Sequence, residues 1–445
     1  MEVLIENIAA YVITAIVVIV IFWRYLKKTA KRTSITEQKI MKAKEGGFYE
    51  PVSLHPVVDI NSCIGSGACI EACPEKDILG WRNGKAAVIN ASRCVGHGAC
   101  FHACPVQAIT LCIGTEKRGV ELPHVSSEFE TSVPLIFIAG EIGGMGLIKN
   151  AVEQGKQAVN YIVKKLPKKS NAENDLIIVG AGPAGISAAL NAKKHNLKFQ
   201  IIEQESLGGT VSNFPRDKIV MTSPMELPLW GKIKLTETSK AELISIWKSV
   251  LEKNIISINE LEKVTAIEKE KDVFTLFTDK KNYTASSILL AIGRRGSPRK
   301  LGVKGEEKEN VYYRLLEPEL INKKKILVVG GGDSAIESAL LLAENSNDVT
   351  LSYRAANFAR IKPKNNERIL HAGKQGLVNI LFNTNVIEIE DDLVLLENSV
   401  TKESIKLTND LVYIFAGGEL PTQFLEKTGI TITKKFGEAL LSHRK

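Results

Sequence analysis

Apolar positions run almost unbroken from Ile8 to Leu26, with Arg24 the one charge among them. As a helix at ~1.5 Å per residue, such a run reaches roughly 28 Å, close to the hydrocarbon thickness of a bilayer. Glu2 and Glu6 precede the run, while Arg24, Lys27, Lys28, Lys31 and Arg32 stand at or beyond its end, beside Trp23 and Tyr25. That polarity is the reverse of a secretory leader. It predicts a single-pass membrane anchor over 1–28 with the remaining domains on the cytoplasmic side. The Lys- and Glu-rich stretch 29–50 reads as a solvated stalk. Farther on, strand-length apolar runs alternate with Ala-rich runs of helical period. A strand over 134–139 leads through a glycine-rich turn into a helical pattern. DLIIVGAGPAGISAALNAKKHNLKFQIIEQ, from Asp175, and KKILVVGGGDSAIESALLLAENSNDVTLSYR, from Lys324, each read as strand, glycine turn, helix, strand. The expected fold class is α/β, with two Rossmann-like units, a small α+β domain over 51–115 and one N-terminal transmembrane helix.

The length of 445 residues and the hydrophobic content of 44% fit about three packed domains. The net charge of +8 gathers in linkers and beside the N-terminal apolar run. It is local, and no nucleic-acid partner is expected from it. All seven cysteines lie between Cys63 and Cys112. Clustered, evenly spaced cysteines in a large chain fit metal chemistry better than a disulfide scaffold. Six of them form two matching runs, CIGSGACIEACP at 63–74 and CVGHGACFHACP at 94–105. An iron–sulfur ferredoxin run reads C-x₂-C-x₂-C-x₃-C-P, so Ser66 and His97 stand where a cysteine is expected. Cys112, in the apolar run ITLCIG, reads as a core residue.

In the first βαβ unit Gly180, Gly182 and Gly185 form G-x-G-x-x-G between strand and helix. Their roles are a tight turn, the approach of a pyrophosphate and close helix–strand packing, and the helix N-terminus offers amides to phosphate. Glu203 ends the next strand, where a carboxylate accepts from an adenosine ribose. In the second unit Gly330, Gly332, Ser334 and Ala335 take the corresponding places. Its second strand ends without an acid and offers Ser352 and Arg354, followed by Arg360, Lys362 and Lys364. A carboxylate would repel a 2′-phosphate and an arginine pairs with it, so this unit is expected to prefer NADPH.

GAGPAG, LLAIGRRGSPRKLGV, VYYRLLEP, GGGDSAIESAL and FAGGELPTQFL resemble the thioredoxin-reductase-like two-domain flavoproteins over about residues 127–445. Within that family the chain is similar to ferredoxin–NADP reductases and bacillithiol-disulfide reductases. The resemblance implies FAD at the first site, NADPH at the second, hydride transfer between them, and a homodimer. In that family the FAD domain closes at its C-terminal end with T-x-x-P-G-[IVL]-[FY]-x-A-G-D and a helix. Here the matching TSVPLIFIAGE, 131–141, stands ahead of the first glycine motif, which implies a circular permutation. Gly140 and Glu141 would then meet the ribityl chain of FAD, with the GGMG turn and the next helix aimed at the flavin N1/O2 edge. The expected divisions are an FAD domain over 127–296 (127–166 the closing element, 171–296 the main part, completed by 412–445) and an NADPH domain over 297–411.

The cysteine runs resemble bacterial two-cluster ferredoxins, in which the last cysteine of each run crosses to the other cluster. That implies one iron–sulfur cluster, 4Fe-4S or 3Fe-4S, on Cys63, Cys69 and Cys104 near Ser66, and another on Cys94, Cys100 and Cys73 near His97. A neutral histidine in place of a thiolate would raise the potential of its cluster. The flavoprotein part lacks the cysteine pairs of its disulfide-reducing relatives. The expected activity is therefore an NADPH-dependent flavoprotein oxidoreductase, membrane-anchored, exchanging electrons between NADPH, FAD and the clusters and serving a small redox protein or another acceptor. A disulfide reductase, or a flavoprotein whose ferredoxin-like part only docks a partner, remain as alternatives.

Overall fold

The computed structural model describes residues 2–45, 49, 51, 54–75, 77–94, 96, 98–117, 119–144, 146–213, 219–221, 224–235, 237–294, 296, 298–358, 361–418 and 421–443. The chain forms two compact units, Met1–Val120 with Lys435–Lys445, and Glu121–Lys434.

The smaller unit begins with helix α1 (Glu2–Glu45). Among the described residues no helix is long and apolar enough to cross a membrane. The described apolar side chains of α1 run from Tyr11 to Trp23 before Arg24, Lys27 and Lys28 intervene. That is ~20 Å of helix against a hydrocarbon core of ~30 Å. The expected anchor over 1–28, and with it the single-pass, cytoplasm-facing location, is overturned. The expected stalk is also different, because α1 continues through it to Glu45 and packs on the unit. Thr36, Ile40 and Ala43 are buried, Thr33 Oγ1 accepts the Asn83 N–H at 3.0 Å, and Glu37 pairs with Arg82 at 3.2 Å.

After α1 come β1 (Leu54–Val58), α2 (Ala68–Ala72), the hairpin of β2 (Leu79–Arg82) and β3 (Lys85–Val88), α3 (Ala99–Ala103) and β4 (Ile109–Ile113). Antiparallel β1 and β4 are joined on the far side of β4 by the strand Glu438–Leu441, which sets Ala439 opposite Cys112. Residues 435–445, expected to help complete the FAD domain, thus belong to the cysteine-bearing unit.

The larger unit holds two α/β layers. Its first sheet contains β5 (Ile136–Ile138), β6 (Asn174–Val179), β7 (Phe199–Ile202), β8 (Val264–Glu270), β9 (Val273–Thr278) and β10 (Asn282–Leu290), in the order β8-β9-β10-β6-β7, with β5 also paired to β10. Leu176 to Val179 are buried on both faces, as a central parallel strand requires. Between strands lie α4 (Ile148–Lys165), α5 (Pro183–Lys194) and, later, α6 (Lys240–Lys253). Pro183 starts α5, where its missing N–H costs nothing.

Helix α4 docks on α5 at unusually short range. A Cβ on Gly155 would lie 2.1 Å from the Ala184 carbonyl oxygen, so no larger residue fits there without parting the helices. Ser187 Oγ donates to the Val152 carbonyl at 2.6 Å, and Asn191 Nδ2 to the Lys156 carbonyl at 2.8 Å and Asn160 Oδ1 at 2.9 Å. Ser187 and Asn191 lie one turn apart and so face α4 together.

The second sheet contains β11 (Lys325–Val329), β12 (Asp348–Tyr353), β13 (Val378–Phe382) and β14 (Leu411–Ile414), all parallel, with Val311–Tyr312 at the β14 edge. Helices α7 (Asp333–Glu344) and α8 (Pro363–Lys374) accompany it. The expected boundary at 411/412 falls inside β14, which belongs to this sheet.

Candidate dinucleotide and cluster sites

The register of the first sheet brings its strand ends level. Ile138 and Val179 both pair with Leu290, and Ile202 pairs with Val179. The residues that follow, Gly140 and Glu141, Gly180, Glu203 and Ala291, therefore share one carboxyl edge, where ligands of open α/β sheets bind. Gly180 has φ +107°, and a Cβ on Gly185 would lie 1.9 Å from the Gly180 carbonyl oxygen. Gly182 differs: nothing lies within 4 Å of a Cβ built on it. The space beside it is open to a group approaching from outside, which suits a pyrophosphate ahead of α5.

Glu203 is buried, and both its oxygens are engaged, accepting from the Ala181 N–H at 2.7 Å and the Glu205 N–H at 2.9 Å. Burial pushes its carboxyl above the usual range, the two amides oppose that, and the nearby Glu205 and Glu260 add to it. Each oxygen keeps a further lone pair for a ribose hydroxyl. Gly140 donates to Gln154 Oε1 at 2.8 Å, so α4 itself fixes the turn before Glu141. Arg294, four residues beyond β10, is drawn below its ordinary pKa by burial, an effect that the charge of Glu141 opposes. Met145 of the GGMG turn lies outside the described residues. Gln154, Gly155 and Arg294 escaped the sequence reading, because their importance arises from long-range packing.

The second edge has the same construction. Val329 pairs with both Ser352 and Ile414, so Gly330 emerges beside the end of β12. Nothing lies within 4 Å of a Cβ on Gly332, Ser334 is exposed, and Ala335 is fully buried in the third glycine's place. Arg354 is exposed just past β12. Ser352 is not available to a ligand, because it is buried and shares a hydrogen bond of 2.8 Å with Thr384 Oγ1. Arg360 lies outside the described residues. Asp333, passed over in the sequence, accepts from the Lys362 N–H at 2.9 Å and Asn365 Nδ2 at 2.7 Å. It ties the basic segment containing Lys362 and Lys364 to the glycine turn.

The smaller unit holds all seven cysteines. Cys63, Cys69 and Cys104 line one small cavity together with Ser66. Burial raises the Cys69 thiol above its ordinary pKa, and the nearby thiols of Cys104 and Cys63 raise it further. Cys94 is pushed up to about 11 by burial, with Cys73 among its neighbours, and Cys100 to about 12 by burial and then by Cys94 and Cys73. Cys63, Cys69 and Cys104 are thus neighbours, as are Cys73, Cys94 and Cys100, with Cys69 also near Cys100. Among the described residues no group of three or more His, Cys, Asp and Glu side chains forms a site for a single ion. A cavity shared by three separate thiols suits a polynuclear cluster instead. Amides also face sulfur, as from Ala108 N to Cys104 Sγ at 3.2 Å. The two runs repeat their backbone, with Gly67 and Gly98 ahead of α2 and α3 at φ +76° and +74°. His97 lies outside the described residues.

Residues 177–444 match the pyridine nucleotide-disulphide oxidoreductase family, and residues 55–105 match the 4Fe-4S dicluster domain. The chain is 29% identical over 266 residues to bacilliredoxin reductase Bdr of Bacillus subtilis, covering 59% of this chain and 82% of that protein. It is 32% identical over 207 residues to a ferredoxin–NADP reductase of Ignicoccus hospitalis, covering 46% of this chain and 64% of the other. The solved bacillithiol disulfide reductase Bdr (YpdA) of Bacillus cereus has a TM-score of 0.51 at 24% identity, over 58% of this chain and 82% of that one, a likeness of fold. The family match spans more than half of the chain and contains both open glycine turns. The protein therefore belongs to the pyridine nucleotide-disulphide oxidoreductase family, as an NADPH- and FAD-dependent oxidoreductase with a 4Fe-4S ferredoxin domain ahead of that fold.

Proposed function

We propose that this protein exchanges electrons between NADPH, FAD and the clusters of its own ferredoxin domain, for a small redox protein or another external acceptor. The observation that carries this reading is the placement of cysteine. All seven lie between Cys63 and Cys112, so Glu121–Lys434, which contains both dinucleotide edges, has none. Thiol–disulfide exchange at a flavin needs a thiolate beside it. Ala184 stands inside the first glycine motif, and the turn Gly208-Gly209-Thr210 is followed by Val211, Ser212 and Asn213.

Bound FAD supplies conversion between hydride and single-electron chemistry, and the clusters supply single-electron transfer. The chain's own part is binding and orientation. Gly182 and Gly332 leave room for pyrophosphate at the starts of α5 and α7, whose N-terminal amides favour anions. Glu203 retains acceptor capacity toward a ribose, while Arg354 and the segment pinned by Asp333 present cations to a 2′-phosphate. The amide directed at Cys104 Sγ favours electron-rich sulfur and tunes the cluster potential. The same residues serve flow in either direction.

We further propose that the flavoprotein part is a circular permutation of the family order. In support, residues 127–166 precede the first glycine motif yet supply a strand to its sheet and a helix to α5. Permutation is tolerated where termini are exposed and close together.

Three outcomes are expected. Anaerobically purified protein should contain iron and acid-labile sulfide and release no thiol from a small disulfide with NADPH. Release by the wild type that is lost in the Cys112→Ala protein with its iron intact would favour the disulfide-reductase reading, whereas release surviving that change would leave the reading without a thiol. Replacing Arg354 by Ala should raise KM for NADPH about tenfold and leave KM for NADH within about twofold; equal losses for both would remove Arg354 from this role. A chain starting at residue 171 should lose FAD on gel filtration, and full retention would refute the permutation.

A further inference from the structure

The cavity shared by Cys63, Cys69 and Cys104 has a fourth side. Among its described lining residues Ser66 is the one further side chain with a potential ligand atom, the remainder being apolar residues and Gly67. Ser66 is held between Gly65 and Gly67, both at positive φ, +71° and +76°. A Cβ on Gly65 would lie 2.0 Å from the Gly84 carbonyl oxygen, and one on Gly67 would lie 2.2 Å from the Trp81 ring. Hairpin β2–β3 therefore grips the loop on each side of Ser66, and Arg32 of α1 lies over Trp81 with its guanidinium carbon 5.2 Å from the ring centroid. The loop has little room to turn the serine out and bring another side chain in. A serine hydroxyl gives up its proton reluctantly and is a poor substitute for thiolate on iron.

We propose that the cluster on Cys63, Cys69 and Cys104 carries one iron that no thiolate of the chain binds, at the Ser66 corner, and that this iron is removable while the other three stay. The proposal rests on reading the cysteine runs as cluster sites. With ferricyanide as oxidant, a [4Fe-4S]²⁺ cluster gives up that iron as Fe²⁺ and one electron to ferricyanide, leaving [3Fe-4S]⁺. All four sulfides and the three thiolates are retained. Added Fe²⁺ and one electron from dithionite reverse the step.

The test treats the full-length protein, purified anaerobically and analysed for iron and sulfide beforehand, with limiting ferricyanide. Released Fe²⁺ is read with a ferrous chelator and the three-iron cluster by EPR. The wild type should release iron and gain the three-iron signal. Ser66→Cys, which supplies the missing thiolate, should release one iron fewer per chain and show a correspondingly smaller signal. Ser66→Ala should release iron as the wild type does, which keeps the test readable should the cysteine variant not fold. Release from Ser66→Cys equal to the wild type would overturn the proposal, as would loss of all iron from Ser66→Ala before oxidation, which would make the serine oxygen itself a ligand. Iron and sulfide missing from the wild type after reconstitution would refute the cluster reading as well. The initial analysis distinguishes that failure from an intact cluster that releases nothing.

Discussion

The close approach of α4 to α5 is the contact on which the rest of the larger unit depends. Gly155 lets the Ala184 carbonyl come where a side chain would stand, and Ser187 and Asn191 place their polar atoms on α4 carbonyls instead of leaving them unpaired. A buried hydrogen bond contributes about 1 kcal/mol net, and more is lost when one partner is removed and the other stays buried. The contact locks the segment ahead of the glycine motif onto the helix that the motif starts. It also brings Gln154 to the Gly140 N–H, so the turn carrying Glu141 is set by the same helix. Both sides of the first dinucleotide edge are thereby fixed by one interface.

The chemistry divides cleanly along the chain. The larger unit presents two sheet edges with open glycines and no cysteine. The smaller one holds every cysteine, and burial raises the Cys69, Cys94 and Cys100 thiols above their ordinary pKa, which favours their protonated form. Cluster assembly must remove those protons, so iron and folding are coupled in this unit. The strand Glu438–Leu441 adds a further link, because it completes the sheet that carries Cys112 with residues from the far end of the chain.

What could be read from the sequence was whatever depends on neighbours along the chain. GAGPAG, GGGDSA and the cysteine runs announce themselves because strand, turn and helix follow within a few residues, and each stands where its pattern placed it. Glu203 was legible for the same reason. The close fit at Gly155, the hydrogen bonds of Asp333 and the burial of Ser352 against Thr384 were not, since each arises from residues far apart in sequence. The return of 438–441 to β4 belongs with them, as no local pattern says which sheet edge a terminal strand will join. The N-terminal run misled in another way. Its average apolarity suggested a span, but the described part is interrupted at Arg24 and its continuation packs on protein through Thr36, Ile40 and Ala43.

In the proposed function the two units form one electron path. The most direct measurement mixes anaerobic, FAD-loaded protein with a slight excess of NADPH, following flavin absorbance together with freeze-quenched EPR of the clusters. Electron uptake should pass beyond the pair that a single flavin accepts, with reduced-cluster signals growing as the flavin absorbance recovers. Uptake that stops at the flavin, with clusters that dithionite reduces but NADPH leaves oxidised, would contradict it.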